Sequence, residues 1–232
     1  MMSQSEALSR RDLILILGQS KIMVDDFLLA AMEIASEVHG GVNREDKTSS
    51  FLETHTWPVA RDVVNHYLNA GRNITSVEIS SAILHDILED NDKILDWYRT
   101  KDYGFDAYLK YRFGNRVYNM CINLKIKPLE NFPGKNDGDR QLARFHDYCK
   151  ILQSADYDVK AIKLADRINN MNFVSSQKKP ADIVKNKRKR YLREAEDFYL
   201  AYALLPPRME DFYTQLRASY DNLRMTDLAT LS

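Results

Sequence analysis

"SSAILHDILEDNDKI", residues 80–94, is the stretch on which the reading of this chain turns. Ala82, Ile83, Leu84, Ile87 and Leu88 predict a helix with a buried face. Yet His85, Asp86, Glu89 and Asp90 place four ionisable side chains within six positions. At about 100° per residue on such a helix, His85 shares a face with Glu89, and Asp86 with Asp90, while Ile83 and Ile87 point away. Burying three carboxylates without compensation is costly, and a metal cation supplies the compensation. His and Asp offer nitrogen and oxygen ligands suited to Mn, Fe or Zn. The two further carboxylates suit proton transfer or the orientation of a water. The bland reading is a half-exposed helix that happens to carry a His-Asp doublet. The chain holds such a case for comparison: His146 and Asp147, followed one turn later by Lys150 and Ile151, read as ordinary surface.

A second stretch lifts the first above that comparison. "DVKAIKLADRINNMNF", residues 158–173, is a mostly apolar helical pattern in which Lys163, Asp166, Asn170 and Phe173 fall on one stripe. An acid on such a helix, with a polar companion one turn on, suggests a ligand facing the first doublet. His55, just ahead of a helix opened by Trp57 and Pro58, completes a set of His55, His85, Asp86 and Asp166.

The rest of the 232-residue chain supplies an all-α frame. Glycine and proline are few, and long stretches space their apolar residues by three and four. Helices are expected over about Val24 to Val38, stopped by Gly40 and Gly41, and from Pro58 to Gly71. Further helices are expected at 80–94, one or two over 104–127, and others near 140–154 and 157–173. A long charged helix opens at Pro180, and a last one follows Pro206 and Pro207 to about Arg224. "KPLENFPGKNDGDRQ" is the clearest loop. Lys plus Arg and Asp plus Glu each number 33, a balance that argues against bulk electrostatic binding to nucleic acid. The basic run "KNKRKR" at 185–190 reads as a solvated helix face, with Arg190 and Glu194 paired at four-residue spacing. Cys121 and Cys149 form no metal-type or redox-type pair and read as free thiols in a reducing, cytoplasmic setting. "SRRDLILILGQSK" near the start superficially resembles a twin-arginine signal, but its apolar run is too short. No apolar stretch is long enough to span a membrane.

In order along the chain, "HGGVNRED", His55, "AILHDILEDN", "RFGNRV", "NLK" and "IKLADRINNM" resemble the HD-domain phosphohydrolases. The specific form is similar to the alarmone (guanosine tetraphosphate) hydrolase domain of the RelA/SpoT homologues, over about Val38 to Met171 with a weaker echo to Ala203. The resemblance implies an HD-domain helical bundle with additional C-terminal helices. An N-terminal extension would cover 1–23, the hydrolase domain 24–204, and a C-terminal helix and tail 205–232 packed on the same domain. It implies one divalent metal, usually manganese, on His55, His85, Asp86 and Asp166, with Glu89 and Asp90 orienting and activating the attacking water. Arg44 matches a residue on the nucleotide base and Asn170 one near the ribose and phosphates. Arg167 is expected to brace Asp166 or neighbouring acids, while Arg44 and Lys125 balance the charge of a phosphate-rich substrate.

The implied activity is removal of the 3′-pyrophosphate from an alarmone nucleotide, giving GDP or GTP plus pyrophosphate. Several positions depart from the pattern. Thr56 replaces a proline after His55, "SFLETHTWP" replaces "PYxxHP" behind a longer loop, and Asn172 and Phe173 stand where Arg-Thr is usual. These departures bear on nucleotide recognition and leave the metal and water positions intact. Other nucleotides therefore stay open as substrates: an adenine alarmone, a pyrophosphorylated RNA end, or the 2′-phosphate of NADPH. A non-catalytic nucleotide-binding protein is the alternative class, disfavoured by the retained Glu89 and Asp90. The expected partner is a nucleotide, without a membrane and with an oligomer left open. A stand-alone hydrolase without a synthetase domain is the expected organisation.

Overall fold

The structure is a computed structural model that describes residues 4–89, 104–178, 180–203 and 206–229. Among these residues it is all-α: no strand forms, and only an isolated antiparallel bridge joins Asn43 to Ser50. The organising element is α7 (Tyr157–Ser176), which is buried nearly all round, from Val159 through Ile162, Leu164, Ile168 and Met171 to Val174. A helix apolar on every side belongs in the centre of a bundle. Around it pack α3 (Trp57–Asn69), α5 (Phe105–Leu124), α8 (Asp182–Glu194) and α9 (Glu210–Ala229). Lys163, Asp166 and Arg167 ride into the interior on the same helix.

Two peripheral helices join this core. α1 (Gln4–Gln19) packs on α3 and buries Leu13 and Leu17 completely, so the N-terminal segment shares the common core. α2 (Asp26–His39) begins at Asp25, whose carboxylate accepts from Leu28 N–H, and packs on α4 (Ser76–Ile83). It ends at the expected glycines; Gly41 takes φ 75°, a left-handed turn that a side chain would resist. The start of α4 is a capping box, Thr75 with Glu78, written in the sequence as Thr-x-x-Glu. α6 (Asp137–Ser154) follows the long loop and is capped by Asn136. α8 continues through a π-helical turn at Ala195–Tyr199 into Leu200–Tyr202. No helix among the described residues is long and apolar enough to cross a membrane.

The expected helix over 80–94 does not continue through the His-Asp doublet. α4 stops at Ile83, Leu84 leaves helical geometry at φ −95° and ψ 9°, and tight turns carry the chain to Glu89. The cause is local. His85 Nδ1 lies 2.8 Å from the Ala82 carbonyl, occupying the oxygen that a continuing helix would offer to the Asp86 N–H. The helical-face argument for His85 with Glu89 is thereby corrected: the two residues sit on turns. The region expected as one or two helices over 104–127 is one helix kinked at Gly114, whose φ 75° and ψ 171° lie in a region nearly exclusive to glycine.

Candidate metal centre

Three chain segments bring the candidate ligands together. His55 comes from a π-helical turn, Leu52–Thr56, that leads into α3. Such turns are rare and gather at functional sites. His85 and Asp86 come from the turns after α4, and Asp166 from the middle of α7. His55 Nε2 stands 3.1 Å from His85 Nε2 and 3.0 Å from Asp86 Oδ2, and His85 Nε2 is 3.1 Å from the same carboxylate oxygen. These three residues form a group that can hold a metal ion. Asp166 Oδ1 closes on the same point, 3.5 Å from His55 Nε2 and 4.0 Å from His85 Nε2.

The hydrogen bonds behind the imidazoles make this arrangement informative. His85 Nδ1 faces a carbonyl, which only accepts, so Nδ1 carries the proton and Nε2 a lone pair. His55 Nδ1 faces Asn169 Oδ1 at 2.8 Å. That amide is fixed in orientation, because its Nδ2 donates to the Thr54 carbonyl at 3.0 Å and its Oδ1 also accepts from Arg44. Two Nε2 lone pairs and a carboxylate oxygen therefore converge. Neutral imidazoles would repel one another there, and only a cation reconciles them. Two adjacent ligands of a six-coordinate ion at roughly 2.1–2.2 Å from each stand about 3 Å apart, which matches the spacings observed. The residues present fit a divalent metal.

Without a metal, a proton serves the same need. Burial lowers the His85 pKa, but Asp86 and then Asp166 overcome it and hold it at about 9. Burial raises Asp86 and Asp166, yet the histidines bring Asp86 well below the ordinary carboxylate range, and Lys163 foremost lowers Asp166. Lys163 Nζ lies 2.7 Å from Asp166 Oδ2, a buried ion pair, while Oδ1 faces the centre and also accepts from Asn170 Nδ2. His39, at the end of α2, is a third buried imidazole nearby, kept neutral by burial at a pKa of about 4.

A cavity of about 610 Å³ opens beside the centre. Glu89 lines it, with Oε1 accepting from Ile126 N–H at 2.7 Å. The Glu89 side chain is solvent-exposed at the cavity, where desolvation by the surrounding protein and the charge of Asp86 raise its pKa against the pull of Lys163. Asp90, its expected partner, lies outside the described residues. Lys125, at the end of α5, is on the cavity wall, as are Arg144 and Asn170. Arg167, expected to brace Asp166 or neighbouring acids, also reaches the wall, and its guanidinium pairs with the acid Glu194 at 2.9 Å and with the Tyr199 hydroxyl. Asp166 itself pairs with Lys163.

The basic run of α8 is only partly the solvated face it resembled in sequence. Arg190 does pair with Glu194 at 3.6 Å, but Lys187 lines the cavity and pairs with Glu45. Arg188 is fully buried, donating to the carbonyls of Val174 and Gln177 at the end of α7. The comparison doublet behaves as surface: Asp147 pairs with the exposed Lys127. Both cysteines are free.

Sequence reasoning missed Asn169 and His39. Asn169 had a legible signal, since it lies three residues after Asp166 and four before Phe173 on a helix with little reason to carry amides. His39 had none, being a lone histidine at a helix end. No protein-family model matches this chain, and no curated protein matches it.

Proposed function

We propose that this chain is a metal-dependent phosphohydrolase that removes the 3′-pyrophosphate of a guanosine tetraphosphate-type nucleotide. The observation that carries the proposal is the pair of Nε2 atoms 3.1 Å apart, each with its Nδ1 engaged, sharing a carboxylate beside a cavity lined by cations. In this reading His55, His85, Asp86 and Asp166 hold one divalent ion, manganese by preference. A divalent ion held there supplies a Lewis acid and brings a water towards a neutral pKa. Glu89 holds or takes up a proton near neutrality, and the Ile126 N–H fixes its carboxylate towards the cavity, as a general base for the attacking water requires. Asp90 is its partner in this proposal. Lys125 and Arg144 set positive charge around the phosphates, and Asn170, which the resemblance puts near the ribose, lines the cavity with its amide bonded to Arg44 and Asp166. Water adds at phosphorus, the bond to the 3′ oxygen breaks, and the nucleoside hydroxyl leaves with a proton.

A second reading keeps the centre and changes the nucleotide to an adenine alarmone, a pyrophosphorylated RNA end or NADPH. The commitment of Arg44 favours it: the residue that the resemblance puts on the base is bonded to Asn169 and Asn170 and covered by Phe173. One experiment tests both readings. Purified protein is incubated with Mn²⁺ and guanosine and adenosine 3′-diphosphate nucleotides, a pyrophosphorylated RNA and NADPH, and the products are resolved by chromatography. Pyrophosphate release from guanosine tetraphosphate, lost in His85→Ala, is the expected result. Phosphate release from NADPH alone would replace the substrate class, and no turnover of any member would remove the hydrolase.

A further inference from the structure

Arg44 is 6% exposed, and its guanidinium is gripped from several directions. Nη1 donates to Asn169 Oδ1 at 3.0 Å and to the Thr54 carbonyl at 3.3 Å, while Nη2 donates to Asn170 Oδ1 at 2.6 Å. The Phe173 ring lies 3.7 Å from the guanidinium carbon. Each asparagine then reaches a different candidate ligand. Asn169 Oδ1 accepts from His55 Nδ1, and Asn170 Nδ2 donates to Asp166 Oδ1. We infer that Arg44, acting through Asn169 and Asn170, is a positioning residue that sets the orientation of His55 and Asp166 at the metal centre, with Phe173 holding the guanidinium in place.

The physical reason lies in the near-symmetry of an amide. The two ends of an asparagine side chain have the same shape and opposite hydrogen-bonding character. A guanidinium donates and never accepts, so the Arg44 fork obliges both asparagines to turn Oδ1 towards it. With Oδ1 so fixed, Asn169 can only accept from His55. That selects the Nδ1–H tautomer and leaves the Nε2 lone pair for the ion. With its Oδ1 fixed likewise, Asn170 presents Nδ2 to Asp166. Without the fork, Asn169 is held in that orientation only by its Nδ2 bond to the Thr54 carbonyl and Asn170 only by its Nδ2 bond to Asp166, so either amide turns over more readily. A reversed Asn169 presents N–H groups to His55 Nδ1 and favours the Nε2–H tautomer, whose proton then stands in the ligand position. Phe173, four residues beyond Asn169 on α7, makes the fork's place apolar on one face and so fixes its plane.

This inference rests on the metal-site reading above, and its test separates the two. Arg44→Met keeps the apolar contact with Phe173 and removes every donor. In metal-free protein, long-range ¹H–¹⁵N NMR reads the His55 tautomer, and Mn²⁺ affinity is measured by competition with a chelator. The wild type should show His55 as the Nδ1–H tautomer, and Arg44→Met should shift it towards Nε2–H and weaken Mn²⁺ binding about 10–100-fold. Adding Asn169→Asp to Arg44→Met should restore both, because a carboxylate accepts from His55 whichever way it turns; a purely structural role for Arg44 would not be rescued this way. If Arg44→Met does not fold, Asn169→Leu removes the same acceptor and should reproduce both losses. An unchanged tautomer with Mn²⁺ affinity within about twofold of wild type, or a failure of Asn169→Asp to rescue, would overturn the inference. Absence of Mn²⁺ binding by the wild type would overturn the metal reading instead, and the metal-free NMR would still decide whether Arg44 sets the tautomer.

Discussion

Kept free of metal, the protein should lose stability as pH rises, in a window set by one histidine. In the metal-free protein, burial opposes a proton on His85, but Asp86 and Asp166 more than compensate and hold its pKa at about 9, against 6.5 for an ordinary histidine. A group whose folded pKa is raised contributes stability that is fully present below the unfolded pKa and lost as pH rises through the folded one. The window is therefore 6.5 to about 9. A rise of that size corresponds to on the order of 3 kcal/mol. For a chain of this length that translates into a fall in Tm of about 6–12 °C. Circular-dichroism melts of chelator-treated protein between pH 6 and 9.5 measure it. Parallel melts with saturating Mn²⁺ should lack the fall, since the imidazoles then bind the ion, and Mn²⁺ affinity itself should increase with pH as the competing proton is lost. A metal-free Tm that is flat from pH 6.5 to 9, or an equal fall in the Mn²⁺-saturated protein, would refute the electrostatic account of the site.

Three other perturbations bear on separate parts of the molecule. Glu89→Gln keeps the shape and the bond to Ile126 N–H but removes the base, so kcat should drop about 10²–10⁴-fold with Mn²⁺ content unchanged; near wild-type turnover would take Glu89 out of the chemistry. Lys163→Met leaves Asp166 buried without its 2.7 Å partner, and urea unfolding of the metal-free variant should show a loss of about 3–5 kcal/mol. A loss below about 1 kcal/mol would mean that Asp166 does not depend on Lys163. Gly114→Ala has open space for its methyl group but the wrong backbone angles, so the same assay should register a cost of about 1–3 kcal/mol from strain alone.

Local signals carried most of the fold. Glycines after α2, Pro58 at the start of α3 and the apolar run of α7 each act through neighbours in sequence, and each of these elements stands within a few residues of its expected place. The end of α4 was not legible, because Leu84 and Ile87 keep a helical pattern while one side chain, His85, takes the carbonyl that the helix needed. The convergence of His55, His85, Asp86 and Asp166 could be anticipated from ligand chemistry and resemblance. The partners of Arg44 and Arg167 could not. Nothing local tells an arginine whether it will meet a ligand or, as here, Asn169, Asn170 and Glu194, far along the chain.

The spacing of the candidate ligands has a mechanical meaning. His55 and His85 lie 30 residues apart, and Asp166 arrives from a third, much later segment, while His85 and Asp86 are neighbours that the turn folds onto one point. The adjacent pair forms a short chelate whose two arms need no long-range contact to find each other. The other two ligands close large loops, and loop closure is where a cross-link gains most against the entropy of the open chain. A bound ion would thus act as a reversible staple between the α3 entry, the α4 exit and the central helix. Such a tie resists separation of the three segments, so an ion held there would be felt as resistance to proteolysis and slow unfolding even in the absence of any substrate.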